Sequence, residues 1–142
     1  MGNNPLKHAP ADVYYLNPAH RQAIQTAASN APHLCVLEAA IDGDASIEGT
    51  LRRLGTALEF PIWYGANFDA LYDCLTDPDW HAGKGHLLLI SGVACLRAAD
   101  PDDFATLIEV FKAAAEARRG QAQPFWILID TPARGIASFP AA

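Results

Sequence analysis

Continuous apolar runs constrain the fold of this chain more than any other feature of its sequence. Residues 86–90 read HLLLI, residues 125–129 read FWILI, and residues 34–37 begin a further run with LCVL. Apolar runs of this length without polar alternation are typical of strands buried on both faces of a parallel sheet. The sequence therefore predicts a parallel sheet covered by helices, although it leaves the order of the strands open.

Segments with helical periodicity lie between these runs. Ile47, Leu51, Leu54 and Leu58 are spaced so that they share one face of a helix, for which Asp44 is the predicted cap. The Asp-Pro pair at the start of the longest segment is a typical helix beginning, with a cap followed by proline at the first helical position. Further helices are predicted over residues 18–29, 67–76 and 100–119.

A single α/β domain accounts for these elements, because 142 residues suit one domain. We expect a small, mainly parallel sheet packed with helices and an extra N-terminal strand and helix over residues 13–29. The Pro- and Asn-rich residues 1–11 predict a flexible arm, residues 12–132 the domain, and residues 133–142 a loose tail. The oligomeric state cannot be predicted from the sequence.

Charge and cysteine content narrow the classes of function. The chain has 16 acidic and 10 Lys and Arg residues, a net charge of −6. An acidic surface repels phosphates and attracts basic proteins, which argues against nucleic-acid binding. The apolar runs are too short to span a membrane. The three cysteines have no CxxC spacing, and residues 1–30 show no secretory pattern, so the predicted compartment is the cytoplasm, with three free thiols.

The segment from residue 60 to 76, FPIWYGANFDALYDCLT, has the most informative pattern. At helical spacing, its apolar residues share one face, while Asp69, Tyr72, Asp73 and Thr76 share the opposite one, called here the outer face. The segment contains no Lys or Arg to offset the two acids. We expect the preceding loop to place Trp63 and Tyr64 beside them. Aromatic residues next to unpaired acids are typical of protein interfaces, although a solvated helix face with both aromatics packed inward would also fit.

Other chemistries have weaker support. Asp69 and Asp73 could imitate the carboxylate pair of a glycosidase, but both lie on one helix with no second element to close a pocket. Cys74 falls on the apolar face, which favours a buried thiol over a nucleophile. Surface or core positions account for all five histidines, and the GKG sequence at residues 83–85 precedes a strand, unlike a phosphate-binding loop. The sequence therefore predicts no enzymatic activity, cofactor or metal site.

The run PIWYGANFDALYDCLT, at residues 61–76, resembles the central motif of the barstar family of intracellular ribonuclease inhibitors. The resemblance covers roughly residues 33–130 and implies the barstar fold and a basic ribonuclease as partner. It implies that Asp73 enters the ribonuclease active site in place of a substrate phosphate. Other contact positions in the family match this chain at Trp63, Tyr64, Asn67, Asp69, Tyr72 and Thr76.

Several departures from the family pattern bear on the partner. Ala113 stands where barstar has an acid facing its partner, and the nearby Glu109 and Glu116 are the candidates to replace it. The sequence DPDW at residues 77–80 replaces a Gly-Trp pair. The main prediction is inhibition of a ribonuclease or related toxin. The alternative is a non-inhibitory protein-binding module with the same fold and a different partner.

Overall fold

The computed structural model describes residue 6, residues 9–43 and residues 45–140. Its strands are β1 Asp12–Tyr15, β2 Leu34–Ala40, β3 Gly85–Ser91, β4 Phe125–Ile129 and β5 Ala137–Ser138. Its helices are α1 Arg21–Ser29, α2 Ile47–Ala57, α3 Phe68–Leu75, α4 Ala94–Ala99 and α5 Pro101–Arg118, and a 3-10 turn at Pro18–His20 leads into α1. The predicted α/β class is confirmed.

All five strands form one parallel sheet in the order β2-β3-β4-β1-β5. Strands β2, β3 and β4 follow one another in both sequence and space, while the connection from β1 to β2 runs back across the sheet. Because crossovers between parallel strands are right-handed, this reversed direction places α1 on the face opposite the later helices. The strand that carries Cys35, β2, therefore lies at an edge of the sheet.

Side chains from alternate strand positions fill a core on each face of the sheet. Leu88 and Ile90 of β3 face the larger core with helices α2 to α5, and Leu87 and Leu89 face the smaller core with α1. All four are fully buried, within 1% of complete exclusion from solvent. The strands have no polar alternation because both of their faces are covered.

Helix caps agree with the predicted starts, with one exception. Asn67 accepts a hydrogen bond from the backbone of Ala70 at the start of α3, and Asp100 accepts one from Asp103 at the start of α5. Helix α2 is capped by Ser46, not by the predicted Asp44, which itself lies outside the described residues. A cap accepts from the second or third helical residue, so a helix beginning at 47 requires its cap at position 46.

Helix α4 was not predicted from the sequence. Leu96 is its only buried residue, so the segment shows no apolar stripe from which a helix could be predicted. No helix among the described residues is long and apolar enough to cross a membrane.

Both ends of the described chain contact the sheet. Residues 1–5 and 7–8 of the predicted arm lie outside the described residues, but the carbonyl of Ala9 accepts a hydrogen bond from the Trp126 indole at 2.9 Å. In the predicted loose tail, β5 pairs with β1 and Phe139 is buried against Tyr14. The ends of the described chain thus join α1 in covering the second face of the sheet, a contribution that the sequence pattern did not predict.

Candidate protein-binding site

Helix α3 presents the two predicted faces. Its inner face buries Leu71, Cys74 and Leu75 completely, in contact with the larger core. The thiol of Cys74 is therefore structural, and burial raises its pKa to about 11. All three cysteines of the chain are free thiols.

The outer face of α3 is open to solvent. Asp69 and Asp73 are exposed, and Tyr72 is 37% exposed. Neither carboxylate has an ion pair or hydrogen bond with any residue that the structure describes. Thr76 donates its hydroxyl to the carbonyl of Tyr72 at 2.8 Å, which leaves its oxygen free only as an acceptor. The outer face thus combines two unpaired negative charges with a partly exposed phenol.

The aromatic loop, residues 60–66, holds its two central aromatics differently. Trp63 is 54% exposed, whereas the hydroxyl of Tyr64 donates to the carbonyl of Leu51 at 2.7 Å. A Cβ added at Gly55 would lie 2.5 Å from the Tyr64 ring, so glycine is needed for the ring to pack there. Trp63 is therefore exposed and Tyr64 is packed inward, so the expectation that both aromatics splay outward is wrong for Tyr64. The position of Trp63 beside the outer face stays a prediction. The role of Tyr64 in partner binding stays a prediction.

An acidic cleft adjoins the aromatic loop. Its volume is about 370 Å³, and its lining includes Trp63 together with three carboxylates, those of Glu59, Asp77 and Asp79. No Lys or Arg lines it. The acidic surface therefore extends past the end of α3 into the segment that departs from the family motif.

Glu109 and Glu116 are exposed on α5. Glu109 lines a groove that α5 forms with residues 133–134, where Lys112 and Arg134 also lie. No hydrogen bond or ion pair joins either glutamate to the outer face within the described parts of the chain. Their part in binding stays a prediction.

Three potential metal ligands, called here the Cys-His cluster, meet behind the acidic cleft. The Nδ1 atom of His81 lies 3.7 Å from Sγ of Cys35 and 3.1 Å from Nε2 of His86. Sequence analysis missed this cluster, since Cys35 precedes His81 by 46 residues and a loop separates the two histidines. The signal that could have found it is the pairing of two apolar runs as neighbouring strands.

His86 is fully buried and joins the cluster to α5. Arg118 donates from Nη1 to Nδ1 of His86 at 3.0 Å, and the ring of Trp80 stacks on the imidazole with centroids 3.9 Å apart. Burial, the Arg118 charge and His81 together lower the pKa of His86 to about 3. The imidazole is therefore neutral in the folded chain at neutral pH.

Acid is expected to destabilise the fold through His86. Because its pKa is about 3 in the folded chain and about 6.5 in an unfolded one, only the unfolded chain binds this proton between those values. Stability should therefore fall as pH drops from about 6.5 towards 3, by up to about 1.4 kcal/mol per pH unit from this group. Urea unfolding in the presence of a chelator should show a shallower loss for His86→Leu than for the wild type. Equal slopes would contradict this origin.

A comparison with known protein families agrees with the observed fold and with the acidic helix. The family model described as barstar (barnase inhibitor) matches residues 35–130, which run from β2 to the residue after β4. The match includes the aromatic loop, α3 and α5, and leaves β1, α1 and β5 outside it. No match was found among curated proteins. A family match over more than half of the chain, together with the parallel sheet and the acidic helix, shows that the chain belongs to the barstar family.

Proposed function

We propose that the chain binds a basic ribonuclease or a related toxin and blocks its active site with the outer face of α3. The observation that carries the proposal is the exposed, unpaired carboxylate of Asp73, which lies in the centre of that face. Its helix lies within the segment that matches the barnase inhibitor family.

Asp73 has the chemistry of a phosphate mimic. A carboxylate can accept two parallel hydrogen bonds from an arginine, as a phosphate oxygen pair does in the substrate of a ribonuclease. Tyr72, on the same face, and Trp63, in the preceding aromatic loop, add flat, partly exposed surface of the kind that anchors protein interfaces. Inhibition of this kind requires complementarity and a negative field, and it requires no catalytic residue in the chain itself.

The acidic cleft widens the negative field. Asp77 and Asp79 add two carboxylates just after the end of α3, which carries Asp69 and Asp73, and the net charge of the chain is −6. A basic partner is attracted to such a surface before contact forms. This supports a cationic protein as the partner and argues against RNA.

Association with the partner should be fast and sensitive to salt. Long-range attraction between exposed charges is screened within about 10 Å at 0.1 M ionic strength, so the association rate should fall steeply as salt is added. Stopped-flow measurement at several salt concentrations checks this, with the double variant Asp77→Asn, Asp79→Asn expected to show a weaker dependence. An association rate that does not change with salt would contradict electrostatic steering.

A second candidate is a binding module of the same fold with a partner other than a ribonuclease. The exposed Ala113 favours it, because the family resemblance places a partner-facing acid at that position. Capture of the partner from the native cell by the wild type, with Asp73→Ala as the control, separates the candidates. A captured ribonuclease supports inhibition, and a partner without ribonuclease activity supports the second candidate.

A further inference from the structure

The Cys-His cluster has a geometry that the binding function does not require. Cys35 of β2 and His86 of β3 are register partners on adjacent strands, so their side chains lie side by side on one face of the sheet. His81 reaches over this pair from the loop before β3. One sulfur and two ring nitrogens meet there, all within 4.8 Å of one another.

The spacing of these atoms fits a tetrahedral cation. Zinc binds sulfur at about 2.3 Å and histidine nitrogen at about 2.0 Å, which puts neighbouring ligand atoms roughly 3.3–3.6 Å apart. The nitrogen-nitrogen distance is 3.1 Å and the sulfur-nitrogen distance to His81 is 3.7 Å. Small side-chain movements would bring all three atoms to bonding distance of one ion.

A carboxylate orients the central ligand. Nε2 of His81 lies 2.7 Å from Oε1 of Glu59, which holds the Nε2 proton on that side and leaves Nδ1 as the electron-pair donor facing Cys35 and His86. Carboxylate-histidine pairs of this kind orient histidine ligands in metal sites and raise their basicity.

Backbone strain occurs at both members of this pair. Glu59 has a φ of 59° and His81 a φ of 47°, in the left-handed region that residues other than glycine rarely adopt. Ala66, in the aromatic loop, is the third such residue in the described parts of the chain. Strained residues of this kind collect at functional sites, where the surrounding structure holds them in place.

We propose that Sγ of Cys35, Nδ1 of His81 and Nε2 of His86 bind one divalent cation of the zinc class. A sulfur and two imidazole nitrogens suit zinc and disfavour magnesium or calcium, which prefer oxygen. Three protein ligands leave the fourth position to water or to an external group.

Arg118 fixes the protonation of His86 in the metal-free chain. Its guanidinium donates to Nδ1 of His86, so Nε2 of His86 carries the ring proton and donates it to His81. For Nε2 to bind a cation, the neutral ring of His86 moves this proton to Nδ1, and Arg118 gives up its bond to that atom. The thiol proton of Cys35 leaves to solvent, and the carboxylate of Glu59 offsets the charge that remains on the cation and its thiolate.

The site would also join the two ends of residues 59–81, the segment that contains the aromatic loop, α3 and the acidic residues 77–79. Glu59 directly precedes the aromatic loop, and His81 follows the acidic residues 77–79. A cation bound by His81 would therefore restrain both ends of this segment, including the aromatic loop. It does so without lying on the outer face itself.

Titration of the full chain with Zn²⁺ by calorimetry, and with Co²⁺ by absorption, tests the proposal without any protein partner. We expect one equivalent to bind, with thiolate-to-cobalt charge-transfer bands in the near ultraviolet. Cys35→Ser should remove these bands and weaken Zn²⁺ binding by roughly 100-fold or more, and Glu59→Gln should weaken it by about 10-fold. Thermal melts of each variant without metal establish that it remains folded.

Cys95→Ser is the matched control, because Cys95 is an exposed thiol outside the cluster. It should leave both titrations unchanged. Absence of saturable binding by the wild type would overturn the proposal, and so would binding that survives Cys35→Ser or is lost in Cys95→Ser. None of these three results would bear on the proposed binding of a ribonuclease, since the outer face takes no part in the measurement.

Discussion

Asp73→Ala is expected to weaken partner binding by about 2–5 kcal/mol while leaving the fold intact. The range follows from the cost of leaving a partner's cations buried and unpaired once the carboxylate is removed. In barstar, truncation of the matching acid weakens binding by more than this range. The expected direction for Asp73 therefore rests partly on the family resemblance. Calorimetry with the identified partner measures the affinity, and thermal melts measure stability.

Asp69→Ala is the matched control for this substitution. Asp69 lies on the same outer face but in the first helical turn, where its charge also complements the helix dipole. Its loss should cost less binding energy than that of Asp73. Unchanged affinity in Asp73→Ala would contradict the proposed binding mode, and unfolding of Asp73→Ala would show that this residue is structural.

Arg118→Ala is expected to lower the free energy of unfolding by about 2–4 kcal/mol. The side chain is 7% exposed, and its guanidinium packs 4.2 Å from the ring centre of Phe125. It donates to His86 and, at 3.4 Å, to the carbonyl of Leu75 at the end of α3. Burial lowers its pKa to about 10, so it stays charged at neutral pH. Its removal leaves a cavity and two polar atoms without their donor.

Arg119→Ala provides the comparison at the next position. Arg119 is exposed, and its bonds to Ala11 and its 3.7 Å ion pair with Asp12 lie at the surface. Exposed ion pairs contribute about 1 kcal/mol or less. Urea unfolding of both variants should therefore show a clear loss for Arg118 and a small one for Arg119. Similar losses would contradict the structural role of Arg118.

Elements could be predicted from the sequence where their own residues show an apolar run or helical spacing. The run at residues 125–129 gave the bounds of β4, because a strand buried on both faces is apolar at every position. The two faces of α3 followed from helical spacing, since residues three and four apart share a face whatever packs against it. The family motif lies in this locally determined segment.

Features that depend on distant contacts could not be predicted in this way. Arg118 stands next to the exposed Arg119 at the end of α5, yet it is buried because its helix end packs against His86 and Phe125. Tyr64, in the aromatic loop, turns inward because Gly55 of helix α2 leaves room for its ring. The Cys-His cluster required knowledge that β2 and β3 are neighbours in register.

Inhibition of RNA cleavage tests the central claim most directly. The chain would be titrated into barnase, and into a small basic ribonuclease encoded beside its own gene if there is one, while cleavage of a fluorogenic RNA is followed. We predict a stoichiometric loss of ribonuclease activity with the wild type for at least one of these enzymes and little loss with Asp73→Ala. Full activity at saturating wild-type chain, or equal inhibition by Asp73→Ala, would contradict the account.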